Sequence, residues 1–417
     1  MTRHLRRLML VTDAPAFGGA ERYLLDLAAA ARRRGIEPAI CWLPFTLSPA
    51  DLFAAAEQQQ IPLVHSSPGG PRRWCERRAC LRYALRTLRP DALIVNASGR
   101  PRFWQVCWQA RAAAIPAAWV HHMVEQQDPR RVPPQWFGGT VEGPQCWRVP
   151  QALRHRLAAQ AATAVITSNP ADRDRIARWH RVNPAKIQVI PPGVDCTRFT
   201  AHAGAGACPA FLPPLTRGGW GGCPPFLIGT AARLVSGKGL EPLIEATARL
   251  RARGLPAILI IAGQGPQRSA FEHLAASLNV SDAVQFADFI EDMPAFYSAL
   301  DVFALCSATE SFGLALAEAM SCERPVIATP TAGARLQIRH LDNGWQLSSF
   351  SVPELTDALA ALYASPPLRE RLGRQARSSV ERAFSIEQTL ARLIAVLCAR
   401  GAKTRPHQPS PLTPATA

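Results

Sequence analysis

No C-x-x-C pair and no His/Cys/carboxylate cluster at metal-ligand spacing occurs in the 417 residues, which excludes a zinc-finger or zinc-ribbon module. The eleven cysteines, among them Cys41, Cys107, Cys146, Cys306 and Cys398, are scattered and odd in number, so reduced thiols rather than a disulfide framework are expected. No apolar run approaches the ~20 residues needed to span a bilayer; Ala257 to Ala262 is typical of those present. Leu8 to Val11 is too short for a secretory apolar core, and a cytoplasmic location is expected. A P-loop is excluded, because Ala232 stands where its first glycine belongs and Gly239 follows Lys238. Asp172-Arg173-Asp174 has the D-x-D spelling of a metal site, yet it lies in a helical stretch after Asn169-Pro170, where residues two apart point to different sides. Neither a bound metal nor another cofactor is expected.

Negative charge is also scarce: 31 Asp and Glu stand against 47 Lys and Arg, a formal net charge of +16. That excess bears on partners rather than on fold. Much of it is arginine, concentrated from Arg72 to Arg89. On a helix, Arg78, Arg82, Arg86 and Arg89 form a stripe beside Trp74, Leu81, Leu85 and Leu88. Such a helix can lie on an anionic membrane surface. Equally, the leucines can pack on a sheet and leave the arginines solvated. No nucleic-acid partner is expected, since no aromatic-basic recognition module appears.

What is present is a repeated alternation. Strand-like runs (Leu8–Thr12, Ala39–Leu43, Pro62–Val64, Ala92–Asn96, Ala117–Val120, Ala164–Thr167, Gln188–Ile190) are separated by helical patterns. After a Gly/Pro-rich stretch the alternation restarts at Phe226–Thr230 and continues through Ile258–Ala262, Val284–Ala287, Val302–Leu305 and Val326–Thr329. This implies two parallel sheets wrapped by helices, a division that the chain length also suits.

The stretch Glu310 to Glu318 sets two carboxylates around a helix start. Helix-start amides and the positive end of the macrodipole, near Ser311, Phe312, Gly313 and Leu314, can hold a diphosphate. Glu318 shares a face with Leu314 and can reach a ribose, while Glu310, ahead of the helix, can reach sugar hydroxyls. The alternative is a buried helix with a polar first turn.

The neighbours bear on that choice. Gly229-Thr-Ala-Ala-Arg233-Leu-Val-Ser-Gly237-Lys238-Gly239, Ile258 to Arg268, Arg324 to Pro330 and Asp342-Asn343-Gly344 flank the pair in order, and Gly18-Gly19-Ala20-Glu21, Trp119-Val120-His121-His122 and Val189 to Asp195 precede them. Over residues 5 to 395 the chain resembles the retaining glycosyltransferases of group 1, or family four. The resemblance implies an α/β protein of GT-B fold, with two Rossmann-like domains facing each other across a cleft. Composition sets a Gly/Pro-rich linker at 201–225 between an acceptor-side domain at 1–200 and a sugar-nucleotide domain at 226–384, and marks a disordered tail at 401–417; the resemblance implies that a C-terminal helix at 385–400 returns to the first domain. It implies that Arg233 and Lys238 hold the donor diphosphate, that Gly18 and Gly19 approach it, and that His122 lies near the reacting sugar, with His121 beside it as a rival. Departures occur at Ala332-Gly333-Ala334-Arg335 and Cys322-Glu323.

The resulting expectation is a retaining hexosyltransferase, acting from a UDP- or GDP-sugar on a glycan, glycolipid or lipid-linked acceptor in cell-surface polysaccharide or lipopolysaccharide synthesis. A location on the inner face of the cytoplasmic membrane would follow from the basic helix. A noncatalytic sugar-nucleotide-binding scaffold and a sugar-nucleotide 2-epimerase are the alternatives.

Overall fold

The computed structural model describes residues 5–13, 19–43, 50–65, 73–97, 104–121, 151–201 and 225–401. Gly18, His122, the expected linker from residue 202 to 224 and the tail beyond 401 lie outside these residues. The chain divides into two compact units, one of Met1–Ile190 with Leu390–Ala417 and one of Pro191–Thr389.

In the first unit β1 (Arg7–Thr12), α1 (Gly19–Arg33), β2 (Glu37–Trp42), α2 (Ala50–Gln58), β3 (Leu63–His65), α3 (Arg73–Leu88) and β4 (Ala92–Ala97) alternate. They are followed by α4 (Gln105–Ala112), β5 (Ala117–His121), α5 (Gln151–Ala161), β6 (Ala164–Thr167), α6 (Pro170–His180) and β7 (Ile187–Val189). Among the described residues these strands form a parallel sheet ordered β3-β2-β1-β4-β5-β6-β7, with Leu10 of β1 set between Ile40 and Ile94. Met9, Val11, Cys41, Leu93, Val95, Trp119 and Val165 from the strands join Leu81, Ala84 and Leu85 of α3 and Ala158 and Ala159 of α5 in one buried cluster. α6 starts where Asn169 accepts a hydrogen bond from the Asp172 N–H, and Pro170 preorganises its first turn.

The second unit runs β8 (Phe226–Ala231), α7 (Leu240–Ala252), β9 (Ala257–Ala262), α8 (Arg268–Ser277), β10 (Val284–Phe286), α9 (Met293–Ala299) and β11 (Val302–Leu305). It continues with α10 (Leu314–Ser321), β12 (Val326–Ala328), α11 (Ala332–Gln337), β13 (Trp345–Gln346), α12 (Val352–Ala364) and α13 (Pro366–Ala383). The final helix, α14 (Ile386–Gly401), carries the chain from the second unit back into the first. The second sheet is ordered β10-β9-β8-β11-β12-β13. Every residue of β9 is buried, as expected of a parallel strand covered on both faces. Leu259 and Ile261 face a cluster with Leu243 and Leu250 of α7 and Leu355 and Leu359 of α12. Ile258 and Ile260 face the opposite cluster, with Leu316 and Met320 of α10 and Val380 of α13.

Pro191 to Phe199 packs with the second unit, not with the first half where composition places it. Val194 and Phe199 are buried in the second core. The Val194 N–H donates to the Phe384 carbonyl at 2.8 Å, and Arg377 donates to the Cys196 carbonyl at 2.8 Å. The boundary between the compact units therefore falls at Ile190–Pro191, ahead of the Gly/Pro-rich stretch.

Candidate functional site

In the second sheet the strand order reverses between β8 and β11. In open α/β sheets, ligands bind outside the carboxyl ends of the strands at such a switch point. The loop after β8 carries Arg233 and Lys238, and the loop after β11 carries Glu310. Gly239 lets the two meet. Its φ is +71°, and a Cβ there would fall 1.9 Å from the Cys306 carbonyl oxygen, so only glycine allows this approach. Ala308 N–H donates to the Gly237 carbonyl at 2.9 Å and seals the contact.

Lys238 Nζ then donates to Glu310 Oε1 at 2.6 Å, and Ser307 Oγ donates to the same oxygen at 3.0 Å. The pair is largely but not wholly covered, with side-chain exposures of 22% for Lys238 and 14% for Glu310. The loop is pinned from its far side as well. Gly333 N–H donates to the Glu310 carbonyl at 3.0 Å, Gln337 Nε2 to the Phe312 carbonyl at 2.5 Å, and Thr329 Oγ1 to the Ser307 carbonyl at 2.6 Å. Phe312 is buried against Phe384, and Gly313, at φ +84°, turns the chain into α10. Ser311 and Leu314 are half-buried at this turn. Arg233 is exposed and makes no ion pair among the described residues. Glu318, on α10, accepts from the Tyr297 hydroxyl at 2.7 Å. One cation held in place, a second on the surface, a helix start and two carboxylates are thus grouped at the switch point or on the helix that leaves it. Groups of these kinds are chemically able to hold an anion that carries hydroxyls.

Two family models match the chain: "Glycosyl transferases group 1" over residues 224–379 and "Glycosyltransferase Family 4" over residues 17–198. The chain belongs to the group 1 glycosyltransferases. D-inositol 3-phosphate glycosyltransferase of Actinosynnema mirum is 30% identical over 251 residues, covering 56% of this chain and 57% of that protein. The chain thus spans only a little more than half the length of such relatives. Among solved structures, Anabaena HepE in complex with UDP and glucose matches with a TM-score of 0.71 at 20% identity, over 95% of this chain and 100% of that one. WaaG, a glycosyltransferase involved in lipopolysaccharide biosynthesis, matches with a TM-score of 0.64 at 18% identity, over 93% and 99%. At these identities the likeness is one of fold, the two-domain GT-B fold.

Within this group 1 chain, sequence reasoning named Lys238 and Glu310 but assigned them to different parts of a donor and did not pair them. It missed Ser307, whose only local signal is its place at the end of a strand, and Tyr297, which had none. Gly19 opens α1 after β1 and is exposed. His121 ends β5 as a packed residue, 6% exposed, with its ring 4.3 Å from that of Trp119 and 4.9 Å from that of His155. Asp172 is 1% exposed and pairs with Arg175 at 2.9 Å, while Asp174 points outward to Arg173, so the D-x-D spelling brings no two carboxylates together. Among the described residues, no three His, Cys, Asp or Glu are grouped to hold a metal ion. On α3, Leu81 and Leu85 are buried in the core while Arg78, Arg82 and Arg86 are exposed; Arg89, expected on the same stripe, lies past the helix end at φ +44° and is also exposed. The leucines are therefore not offered to a bilayer. Among the described residues no helix is long and apolar enough to cross a membrane.

Proposed function

We propose that this chain is a retaining glycosyltransferase that moves a hexose-type sugar from a UDP- or GDP-sugar to a glycan, glycolipid or lipid-linked acceptor. The observation that carries the reading is the Lys238–Glu310 pair at the switch point of the second sheet, beside the start of α10. As the glycosidic bond breaks, negative charge grows on the departing diphosphate. Lys238, Arg233 and the backbone amides from Ser311 to Leu314, leading into α10, would stabilise that charge most in the transition state. The Lys238 ammonium has three donors and spends one on Glu310.

Glu310 Oε1 already accepts two hydrogen bonds, from Lys238 and from Ser307. That favours a role holding sugar hydroxyls over one as a covalent nucleophile. Attack on the face of departure, with the leaving phosphate taking the acceptor's proton, then relies on positioning and charge stabilisation. Glu318 takes the ribose side. The names of HepE's ligands, UDP and glucose, and of WaaG's process are consistent with such a donor and with a cell-surface glycan product. The exposed arginines of α3 would add electrostatic attachment to an anionic membrane surface.

Incubation with a panel of UDP- and GDP-sugars, with release of UDP or GDP as the readout, tests the donor. NMR of the product should show the donor's anomeric configuration, and activity should survive EDTA. Glu310→Gln should lose more activity than Glu318→Gln. An inverted anomeric centre would sink the mechanism, and silence with every donor would sink the function.

A further inference from the structure

We infer that Tyr297 is a positioning residue for nucleoside recognition, holding the Glu318 carboxylate from inside the core so that it is presented to a ribose. The inference rests on the reading of Glu318 given above. Tyr297 lies on α9 and is fully buried. Its ring is caged by Phe199 at 6.1 Å, Phe296 at 5.4 Å and Phe303 at 5.4 Å. A ring held on three sides cannot follow a moving partner, so its hydroxyl is a fixed point in the core. That hydroxyl donates to Glu318 Oε2 at 2.7 Å, a length typical of a hydrogen bond to a charged acceptor.

Glu318 is half-buried on α10, and a side chain of its length would otherwise lose rotamer freedom each time it met a ligand. The phenol removes that cost in advance, in the way a supporting shell preorganises a contact residue. One turn further along, the Cys322 N–H donates to the Glu318 backbone carbonyl at 3.0 Å. Cys322 is buried, and burial together with the Glu318 charge pushes its thiol up to about 12, so it stays a neutral S–H. A carboxylate fixed through Oε2 keeps acceptor capacity for sugar hydroxyls.

The test is calorimetric titration with UDP and GDP and with the 2′-deoxy and 3′-deoxy counterparts of whichever binds. Tyr297→Phe keeps the ring and deletes the donor. It should weaken the parent nucleotide by about 5- to 30-fold and leave the deoxy nucleotide nearly unchanged, so that discrimination between them collapses. Donor KM should rise while kcat changes by less than about 3-fold, the pattern of lost uniform binding. A merely structural role would weaken both nucleotides equally. Should the cage not tolerate phenylalanine, 3-fluorotyrosine at position 297 alters only the donor strength of the phenol and should shift the same discrimination. Glu318→Gln separates the layers of the argument. If it abolishes discrimination while Tyr297→Phe or the fluorinated residue leaves it at the wild-type value, the role of Tyr297 is overturned and that of Glu318 stands. If Glu318→Gln also leaves it unchanged, or the wild type binds neither nucleotide, the donor-site reading itself falls.

Discussion

Lys238→Ala separates what the ion pair does for folding from what it does for turnover. At 2.6 Å, with an effective dielectric of about 20, the attraction between Lys238 and Glu310 is about 6 kcal/mol. Desolvation of the two charges offsets most of that. With exposures of 22% and 14%, the pair falls between exposed pairs, at about 0–1 kcal/mol, and buried pairs broken by truncation, at about 3–5 kcal/mol. Glu310 would keep its Ser307 hydrogen bond, so a stability loss of about 2 kcal/mol is expected. Turnover should fall further. Removing one preorganised donor to a developing anion costs about 2–4 kcal/mol of transition-state stabilisation, or about 30- to 1000-fold in kcat. Urea titration measures the first quantity and UDP or GDP release the second. A folded Lys238→Ala protein that turns over within threefold of the wild type would remove Lys238 from the chemistry and leave the pair a purely structural feature.

Two further outcomes are expected. Burial first, then the electrostatic influence of His121, His180 and Arg154, holds His155 well below the usual histidine range. His155 therefore stays neutral in the folded state while its unfolded form takes up a proton near pH 6.5, so its contribution is complete above that pH and is lost as pH falls, by up to about 1.4 kcal/mol per pH unit. The urea midpoint of the wild type should drop between pH 7 and pH 5 more steeply than that of His155→Leu, and parallel curves would refute the assignment. On α3, sedimentation with anionic vesicles should weaken with salt and with Arg78→Glu plus Arg82→Glu; equal, salt-insensitive association with neutral and anionic vesicles would exclude the arginine face.

The sequence by itself determined the fold class. A parallel strand buried on both faces must be apolar along its length, so Ile258 to Ala262 reads as a strand without reference to any neighbour, and the structure places β9 there with one residue more, from Ala257. It likewise placed Lys238 and Glu310 in loops following strands, because glycines and polar residues interrupt the apolar runs there. Tertiary structure alone decided which of these residues meet. Lys238 and Glu310 are 72 positions apart, and they touch because β8 and β11 are neighbours in the sheet and Gly239 seats one loop on the other. Periodicity shows that α3 has an arginine stripe beside leucines, but only the packed sheet shows that Leu81 and Leu85 are already covered. Tyr297 is the extreme case. Its role depends on a cage of phenylalanines drawn from Phe199 to Phe303 and on a carboxylate 21 residues away. Local pattern reports the few residues along a turn or a strand, whereas a site assembled at a chain reversal depends on strand order, which no short window contains.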